Sequence, residues 1–493
     1  MTHVLQTIER MANRIPHPMA LFIYLCLTVV VLSAIGQWRG WQAQHPATGE
    51  WLQVHSLLTD SGAVFMLSSM VKNFMNFAPV GPVVIMALAF SLAERSGFLP
   101  FLITRLTRST PQAVLALAIA FLGVMSSIAV DSGYVVLLPL CAAVFMAVGR
   151  HPIAGLALGF ACVSGGFSAN LLVGPVDAML SGISSEAVAL VADEEVSIVA
   201  NYYFMVVSVF VVMLSCVLVN RFWVEPYLMQ TSAQVVTPAK ALDEAQPVSF
   251  GKPVFVALAV VVAAWLLLTL PEHAVLRNEQ GGLLHGPFMS SLVAMIALSV
   301  ALIATVFGVV HKRFTSWHDW VKALERGITD IAPYLVLMFV VAQFIAWFKW
   351  SDLGAVMAIH LASLLEMLAI SGPVALVALM IFSGILNLFI GSASAKWGLL
   401  APIVVPAFYL IGIAPESVQG AYRVADSSTN IITPLMPYFP LVLAYGQKYE
   451  KDLSVGRLLT LMLPYAITLF LIWGSLLTIW LVAGWPLGPE VSN

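Results

Sequence analysis

Charge is what this chain has least of. Asp, Glu, Lys and Arg make up 10% of its 493 residues, against roughly 25% in a soluble domain. Together with 60% hydrophobic residues, that scarcity excludes a soluble fold and makes the bilayer the solvent of most of the chain. An excess of either sign is also missing. The formal net charge is -3 and no basic run offers a phosphate track, which sets nucleic acid aside as a partner. Cysteine is rare: Cys26, Cys141, Cys162 and Cys216 all lie inside apolar runs without CxxC spacing, and read as buried small hydrophobes rather than disulfides or metal ligands. No GxxxxGK[ST] loop is present, so ATP is not the energy source within this chain. No period-two alternation suggests a barrel. The first apolar run follows Arg10 and Arg14 but is too long for a signal peptide and leads to no convincing cleavage site, so it reads as a retained helix.

What is there is a series of apolar runs near the ~20 residues needed to cross hydrocarbon, from 19–35 to 458–482. Between them the basic residues cluster: Arg95, Arg105 and Arg108; Arg150; Arg221, Lys240 and Lys252; Lys312, Arg313, Lys322 and Arg326; Lys448, Lys451 and Arg457. Such clusters mark cytoplasmic loops. Arg105 and Arg108 precede the apolar pair 113–130 and 134–148 while Arg150 follows it, so entry and exit are on one side. The turn Val130-Asp131-Ser132-Gly133 is then a hairpin tip within the membrane. The layout recurs where 374–390 and 399–413 flank Gly391-Ser392-Ala393-Ser394-Ala395-Lys396, with the base of this second hairpin outside. Tyr134, Pro139 and Pro152 are matched at one constant shift by Trp397, Pro402 and Pro415, and Ser168-Ala169-Asn170 is matched by Ser428-Thr429-Asn430. Two repeats of opposite topology account for this.

The expected fold is therefore an all-α integral membrane protein of about nine transmembrane helices plus two re-entrant helical hairpins. The first inverted repeat covers 1–224, with a hairpin at 111–149 and a broken helix at 152–182. A cytoplasmic linker, 225–252, precedes the second repeat, 253–493, with a hairpin at 373–413 and a broken helix at 417–446. The N-terminus is expected in the cytoplasm, and the C-terminus in the periplasm.

Ser164-Gly165-Gly166-Phe167-Ser168-Ala169-Asn170 interrupts an apolar run with small polar residues and glycines, which favour unwinding, and Ser427-Ser428-Thr429-Asn430 is its partner. Unwound backbone inside a membrane must line a cavity, and its carbonyls with Ser, Thr and Asn oxygens suit Na⁺. Ser168, Asn170, Ser428, Thr429 and Asn430 are thus candidate cation ligands, with Asp131 helping to neutralise the ion. The alternative is close helix packing with hydroxyls bonded back to carbonyls. Arg423, Asp426 and Asn430 share one helix face at i, i+3 and i+7, so Asp426 is expected to neutralise Arg423. Lys396 beside Trp397 adds a second intramembrane cation, and two cations point to an anionic substrate, with Trp397 free to stack on an aromatic group or a cation. Asp177 either relays protons or binds a cation, or is a solvated cap near the outer interface. Asp330 is expected to cap a helix, and His360 to be a satisfied buried histidine.

At these residues the chain resembles the p-aminobenzoyl-glutamate transporter family, AbgT, within the wider group of hairpin-containing ion transporters. The resemblance covers nearly the whole chain and is carried by the segments from Ser164 to Asp177, Gly391 to Trp397 and Arg423 to Pro434. It implies a homodimer in a bacterial inner membrane, in which a scaffold supports a mobile core, with cation-coupled movement of p-aminobenzoyl-glutamate or export of sulfonamide antimetabolites. It also implies roles for Asp177, Trp397, Pro415 and Arg423. A glutamyl dicarboxylate would suit Arg423 and Lys396, and a benzoyl ring Trp397, whereas Pro415 is explained by the residues alone only as a hairpin-base turn.

The nearest rival is a related Na⁺-coupled dicarboxylate or short-chain organic acid carrier. An intramembrane hydrolase would need a base beside its serine, and the core offers none except Lys396 near Ser394, so no enzyme is expected. A passive channel would assemble its re-entrant loops around a symmetry axis. No cofactor is expected. The coupling ion, Na⁺ or H⁺, and the direction of transport are open at this level.

Overall fold

The computed structural model describes residues 18–489 apart from 45–48, 79, 109–113, 130–132, 232–250, 272, 279–282, 284–286, 369, 434, 435 and 437. In hydrocarbon the backbone must satisfy its own polar groups, and nearly every described apolar run is helical accordingly. The N-terminal run forms α1 (Pro18–Arg39), followed by a two-stranded ribbon, β1 (Gln42–Gln44) and β2 (Trp51–Gln53), antiparallel with Ala43 opposite Leu52. The ribbon departs from the all-α expectation. It lies in the polar loop beyond Arg39, where extended pairing replaces the helical ladder.

Next come α2 (Asp60–Ser68), α3 (Met70–Met75), α4 (Val80–Arg95) and α5 (Phe98–Arg108). The expected first hairpin contains α6 (Leu115–Met125) and α7 (Leu138–Ala147), and its tip residues Val130, Asp131 and Ser132 lie outside the described residues. The first broken helix is α8 (Pro152–Gly165) and α9 (Pro175–Val188). After α10 (Tyr202–Val219) and α11 (Glu225–Thr231), most of the expected linker lies outside the described residues. The second half holds α12 (Lys252–Thr269), α13 (Pro287–Val310), α14 (Trp317–Trp350) and α15 (Leu353–Met367). It closes with α16 (Gly372–Asn387), α17 (Ala393–Leu410), α18 (Pro415–Asn430), α19 (Phe439–Gln447) and α20 (Val455–Val482).

Among the described residues seven helices are long and apolar enough to cross a membrane: α1, α10, α12, α13, α14, α17 and α20; α15 with α16, bent by 119° at their junction, would make an eighth. By contrast α6 and α7 have 11 and 10 residues. At ~1.5 Å per residue, each reaches about half of a ~30 Å hydrocarbon core.

Two expectations fail outside the site. Asp330 does not cap a helix, because α14 starts far upstream on a reciprocal cap: Ser316 Oγ accepts from the Asp319 amide at 3.2 Å, and Asp319 Oδ2 accepts from the Ser316 amide at 3.0 Å. The helix begins in the polar loop, before the apolar run that suggested its start. Asp330 lies inside it, between Arg95 at 3.6 Å and Arg326 at 3.8 Å. His360 is exposed rather than buried, since α15 buries its first turns and emerges from the bundle near that residue. The four cysteines are buried and unpaired.

Two turns place the site. Gly149 (φ +76°) ends the segment before α8 and Gly412 (φ +80°) the segment before α18, a left-handed conformation that glycine adopts without a Cβ clash. Each is followed three residues later by a proline, Pro152 or Pro415, at the first helical position, where a missing amide hydrogen costs nothing. Every residue of α8 is buried, as is α18 from Val418 onward. Around them, α8 packs on α6 and α7, and α18 on α16, α17 and α20. The sequence of α18, PESVQGAYRVADSSTN, carries Arg423, Asp426, Ser427, Ser428, Thr429 and Asn430 in its second half. Polar groups there have to find partners inside the protein.

Candidate functional site

The interruption between α8 and α9 leaves backbone groups that no helix satisfies, and α18 supplies partners for them. The Ser168 amide donates to Ser427 Oγ at 3.1 Å, and Arg423 Nη2 donates to the Ser168 carbonyl oxygen at 2.8 Å. Because Arg423 and Ser427 are four residues apart on one helix, one face of α18 stitches this break. The same guanidinium nitrogen donates to Asp177 Oδ1 at 2.5 Å. Asp177 Oδ2 in turn accepts from the Gly174 amide at 2.8 Å and from Asn170 Nδ2 at 3.0 Å. Asp177 is therefore a cap, but an interior one: it is 4% exposed, closes the N-terminus of α9 and holds Arg423. A carboxylate at a helix N-terminus is also favoured by the helix dipole.

The second cluster assembles where α16 ends and α17 begins. Ser392 starts α17 by accepting from the Ala395 amide at 3.3 Å, which puts Lys396 in the first turn. There the helix dipole opposes a cation, and Lys396 is 0% exposed. Its ammonium forms an ion pair with Asp426 of α18 and donates to Asn387 Oδ1. Asn387 Nδ2 shares its hydrogens among the Asp426 carbonyl (2.7 Å), Thr429 Oγ1 (2.8 Å) and Asn430 Oδ1 (3.0 Å). Arg423 and Asp426, expected to pair with each other, thus pair with different partners. Although both project from one face of α18, the long guanidinium reaches the α8–α9 break, while the shorter carboxylate meets the start of α17.

Unwinding differs between the halves. Ser168 and Asn170 do lie in a non-helical stretch, 166–174. Ser427, Ser428, Thr429 and Asn430, expected to be unwound, complete the last turn of α18, and the interruption begins at Ile431. Ser428 Oγ donates to the Val424 carbonyl (2.7 Å) and Thr429 Oγ1 to the Ala425 carbonyl (2.7 Å). Back-bonding of this kind is the competing reading of Ser and Thr in helices, and here it prevails. Without glycines in the segment, nothing breaks the ladder there.

Trp397 follows Lys396 and is fully enclosed. Its ring stacks on Tyr422 (centroids 4.5 Å apart, planes 26° apart), and its Nε1 lies 3.0 Å from Ser184 Oγ and 3.2 Å from the Leu180 carbonyl oxygen. Ser184 Oγ is 2.7 Å from Gln419 Oε1, Gln419 Nε2 donates to Asn201 Oδ1 at 3.0 Å, and Asn201 Nδ2 donates to the Glu416 carbonyl at 2.8 Å. This chain of polar groups runs from Trp397 to the first turn of α18, next to Pro415. Asn387, Tyr422, Ser184 and Gln419 were not singled out from the sequence. A signal existed for Asn387, the one amide in the apolar run 374–390.

Apolar spans surrounding interrupted helices, with two buried ion pairs at the interruptions, define a polytopic membrane transporter. Comparison with known proteins gives the particular family. The sequence profile of the "AbgT putative transporter family" matches residues 3–493. The p-aminobenzoyl-glutamate transport protein of Escherichia coli (strain K12) is 35% identical over 487 residues, 98% of this chain and 96% of that protein. The crystal structure of the Alcanivorax borkumensis YdaH transporter superposes with a TM-score of 0.92 at 44% identity, over 96% of this chain and 100% of that one. Neisseria gonorrhoeae MtrF, described as illuminating a class of antimetabolite efflux pumps, superposes at 0.90 with 36% identity, over 99% and 100%. The chain belongs to the AbgT family and is a transporter, not an enzyme.

Proposed function

We propose that this chain is a cation-coupled secondary carrier of p-aminobenzoyl-glutamate and of sulfonamide-like antimetabolites, acting as a homodimer in a bacterial inner membrane. The observation that carries the proposal is the pair of enclosed cations, Arg423 and Lys396, each held by one carboxylate, Asp177 or Asp426. A substrate with two carboxylates matches that charge pattern, and each substrate carboxylate can take the place of a resident one. The cations then exchange one partner for another without standing bare in a dry interior, which is what makes such a step affordable. The coupling cation, Na⁺ or H⁺, accounts for the charge carried across.

The proposed architecture has about nine spans, two re-entrant hairpins and two inverted repeats, with the N-terminus in the cytoplasm and the C-terminus in the periplasm. Two features support it: the shortness of α6 and α7, and the matching turns in which Gly149 precedes Pro152 and Gly412 precedes Pro415. Alternating access by rocking of a hairpin-bearing core follows from such repeats.

The deciding experiment is uptake of labelled p-aminobenzoyl-glutamate into proteoliposomes, with Na⁺ and pH gradients imposed separately and in both directions. Accumulation above equilibrium under one gradient is the expected result and names the ion; none under either gradient overturns the carrier reading.

One observation favours a second reading. With one face of Trp397 against Tyr422 and its Nε1 engaged, the ring is not open for stacking in this conformation. A small dicarboxylate needs no aromatic platform. Trp397→Ala is expected to weaken p-aminobenzoyl-glutamate transport ~2–10-fold, about the value of one stacked ring pair, and to weaken glutarate transport less. Equal losses for both substrates in competition assays would assign Trp397 to support of Tyr422 and favour the dicarboxylate carrier.

A further inference from the structure

We infer that the chain supplies its own cations at both places where its sequence suggests Na⁺, and that Lys396 is a tethered ammonium closing the second of these sites to the free ion. This deepens the carrier reading and rests on it. Two of the expected ligand oxygens of the second site, Thr429 Oγ1 and Asn430 Oδ1, already accept a hydrogen from Asn387 Nδ2, and the Ser428 and Thr429 hydroxyls donate to the Val424 and Ala425 carbonyls of their own helix. Among the described residues two oxygens converge on a cation there, Asp426 Oδ1 and Asn387 Oδ1, and the cation they meet is the Lys396 ammonium.

At the first site the arrangement is equivalent. Arg423 takes the Ser168 carbonyl and Asp177 Oδ1, while Asn170 Nδ2 donates to Asp177 Oδ2. Charge explains the placement of the lysine where helix preference does not. A cation in the first turn of α17 opposes the dipole, and burial without a partner is strongly unfavourable, so Lys396 is held there by the carboxylate and the amide oxygen that a Na⁺ would otherwise use. Na⁺ and ammonium carry the same charge and both take carboxylate and amide oxygens, so an amine on a side chain can hold the position permanently. The movement that would release Na⁺ then withdraws Lys396 from Asp426.

The test is thermal melting of the purified full-length protein in detergent, with NaCl titrated against choline chloride at constant ionic strength. The wild type is expected to show no Na⁺-specific shift that depends on Thr429. Lys396→Met opens the site and is expected to gain a saturable, Na⁺-specific rise of ~2–4 °C, which adding Asn387→Leu, the loss of one of its two oxygens, removes. Lys396→Arg keeps the charge and is expected to behave as the wild type. A Na⁺-specific shift in the wild type that Thr429→Val abolishes overturns the inference, as does folded Lys396→Met with no response to Na⁺. If Lys396→Met does not fold, the wild type and Thr429→Val decide alone: no shift upholds the inference and a Thr429-dependent shift overturns it. Melting requires no substrate, so failure here leaves the carrier reading intact, and failure of gradient-driven uptake leaves the melting result intact.

Discussion

Arg423→Ala is expected to lower uptake of p-aminobenzoyl-glutamate by two orders of magnitude or more and to lower the melting temperature as well. The guanidinium bonds to Asp177 and to the Ser168 carbonyl, both buried. Removing it leaves a carboxylate and a carbonyl with one partner fewer each, and breaking a buried pair from one side costs roughly 3–5 kcal/mol. If the same bonds pass to a substrate carboxylate during transport, that energy corresponds to ~10²–10⁴ in affinity. The two roles separate in the double variant. Asp177→Asn combined with Arg423→Ala removes the uncompensated charge, so stability recovers, measured by melting in detergent, while uptake into proteoliposomes stays lost. Recovery of uptake in the double variant would make Arg423 a purely structural partner of Asp177.

Asp426→Asn is the second change with a large effect, because it strands the Lys396 ammonium in a place where it has no exposure at all. Among the described residues its remaining partner is Asn387 Oδ1, a neutral oxygen. A loss of ~3–5 kcal/mol in stability is expected. Neutralising the lysine as well, in Lys396→Met with Asp426→Asn, should return most of it. The coupling energy of the cycle, measured by denaturation of the four proteins, is expected to exceed ~2 kcal/mol, near the upper end of what contacting pairs show. A coupling near zero would mean that the two side chains contribute independently and are not the pair the geometry shows.

Much of this site was legible before the fold was known, for a reason that the bilayer supplies. Charged groups are so costly in hydrocarbon that those within apolar runs stand out, and Arg423, Lys396, Asp426 and Asp177 all did. Ser168 and Asn170 stood out because Gly165 and Gly166 precede them, and the chain does leave the helix there. The matching serines at 427 and 428 looked the same in composition but sit in a continuous helix. The difference is the missing glycine pair, since serine and threonine hydroxyls return to the carbonyls of their own helix when nothing interrupts it. Asn387 passed unnoticed as one amide in an apolar run, although it links Lys396 to Asp426, Thr429 and Asn430. Asp330 misled because hydropathy marks where a helix enters the membrane, whereas capping marks where it begins.

By itself the sequence determined the solvent, the helical class, the first interruption and the identity of the charged residues, because each follows from local composition and from the cost of burying polar groups in hydrocarbon. It could not determine which charge meets which. Arg423 and Asp426 lie three residues apart on α18, and helical spacing alone pairs them. Their partners, Asp177 and Lys396, come from α9 and α17, elements brought alongside α18 only by tertiary packing. Pairing in a dry interior depends on how far each side chain reaches and which oppositely charged group it meets there. That is a property of the assembled bundle, and so is the enclosure of Trp397 against Tyr422.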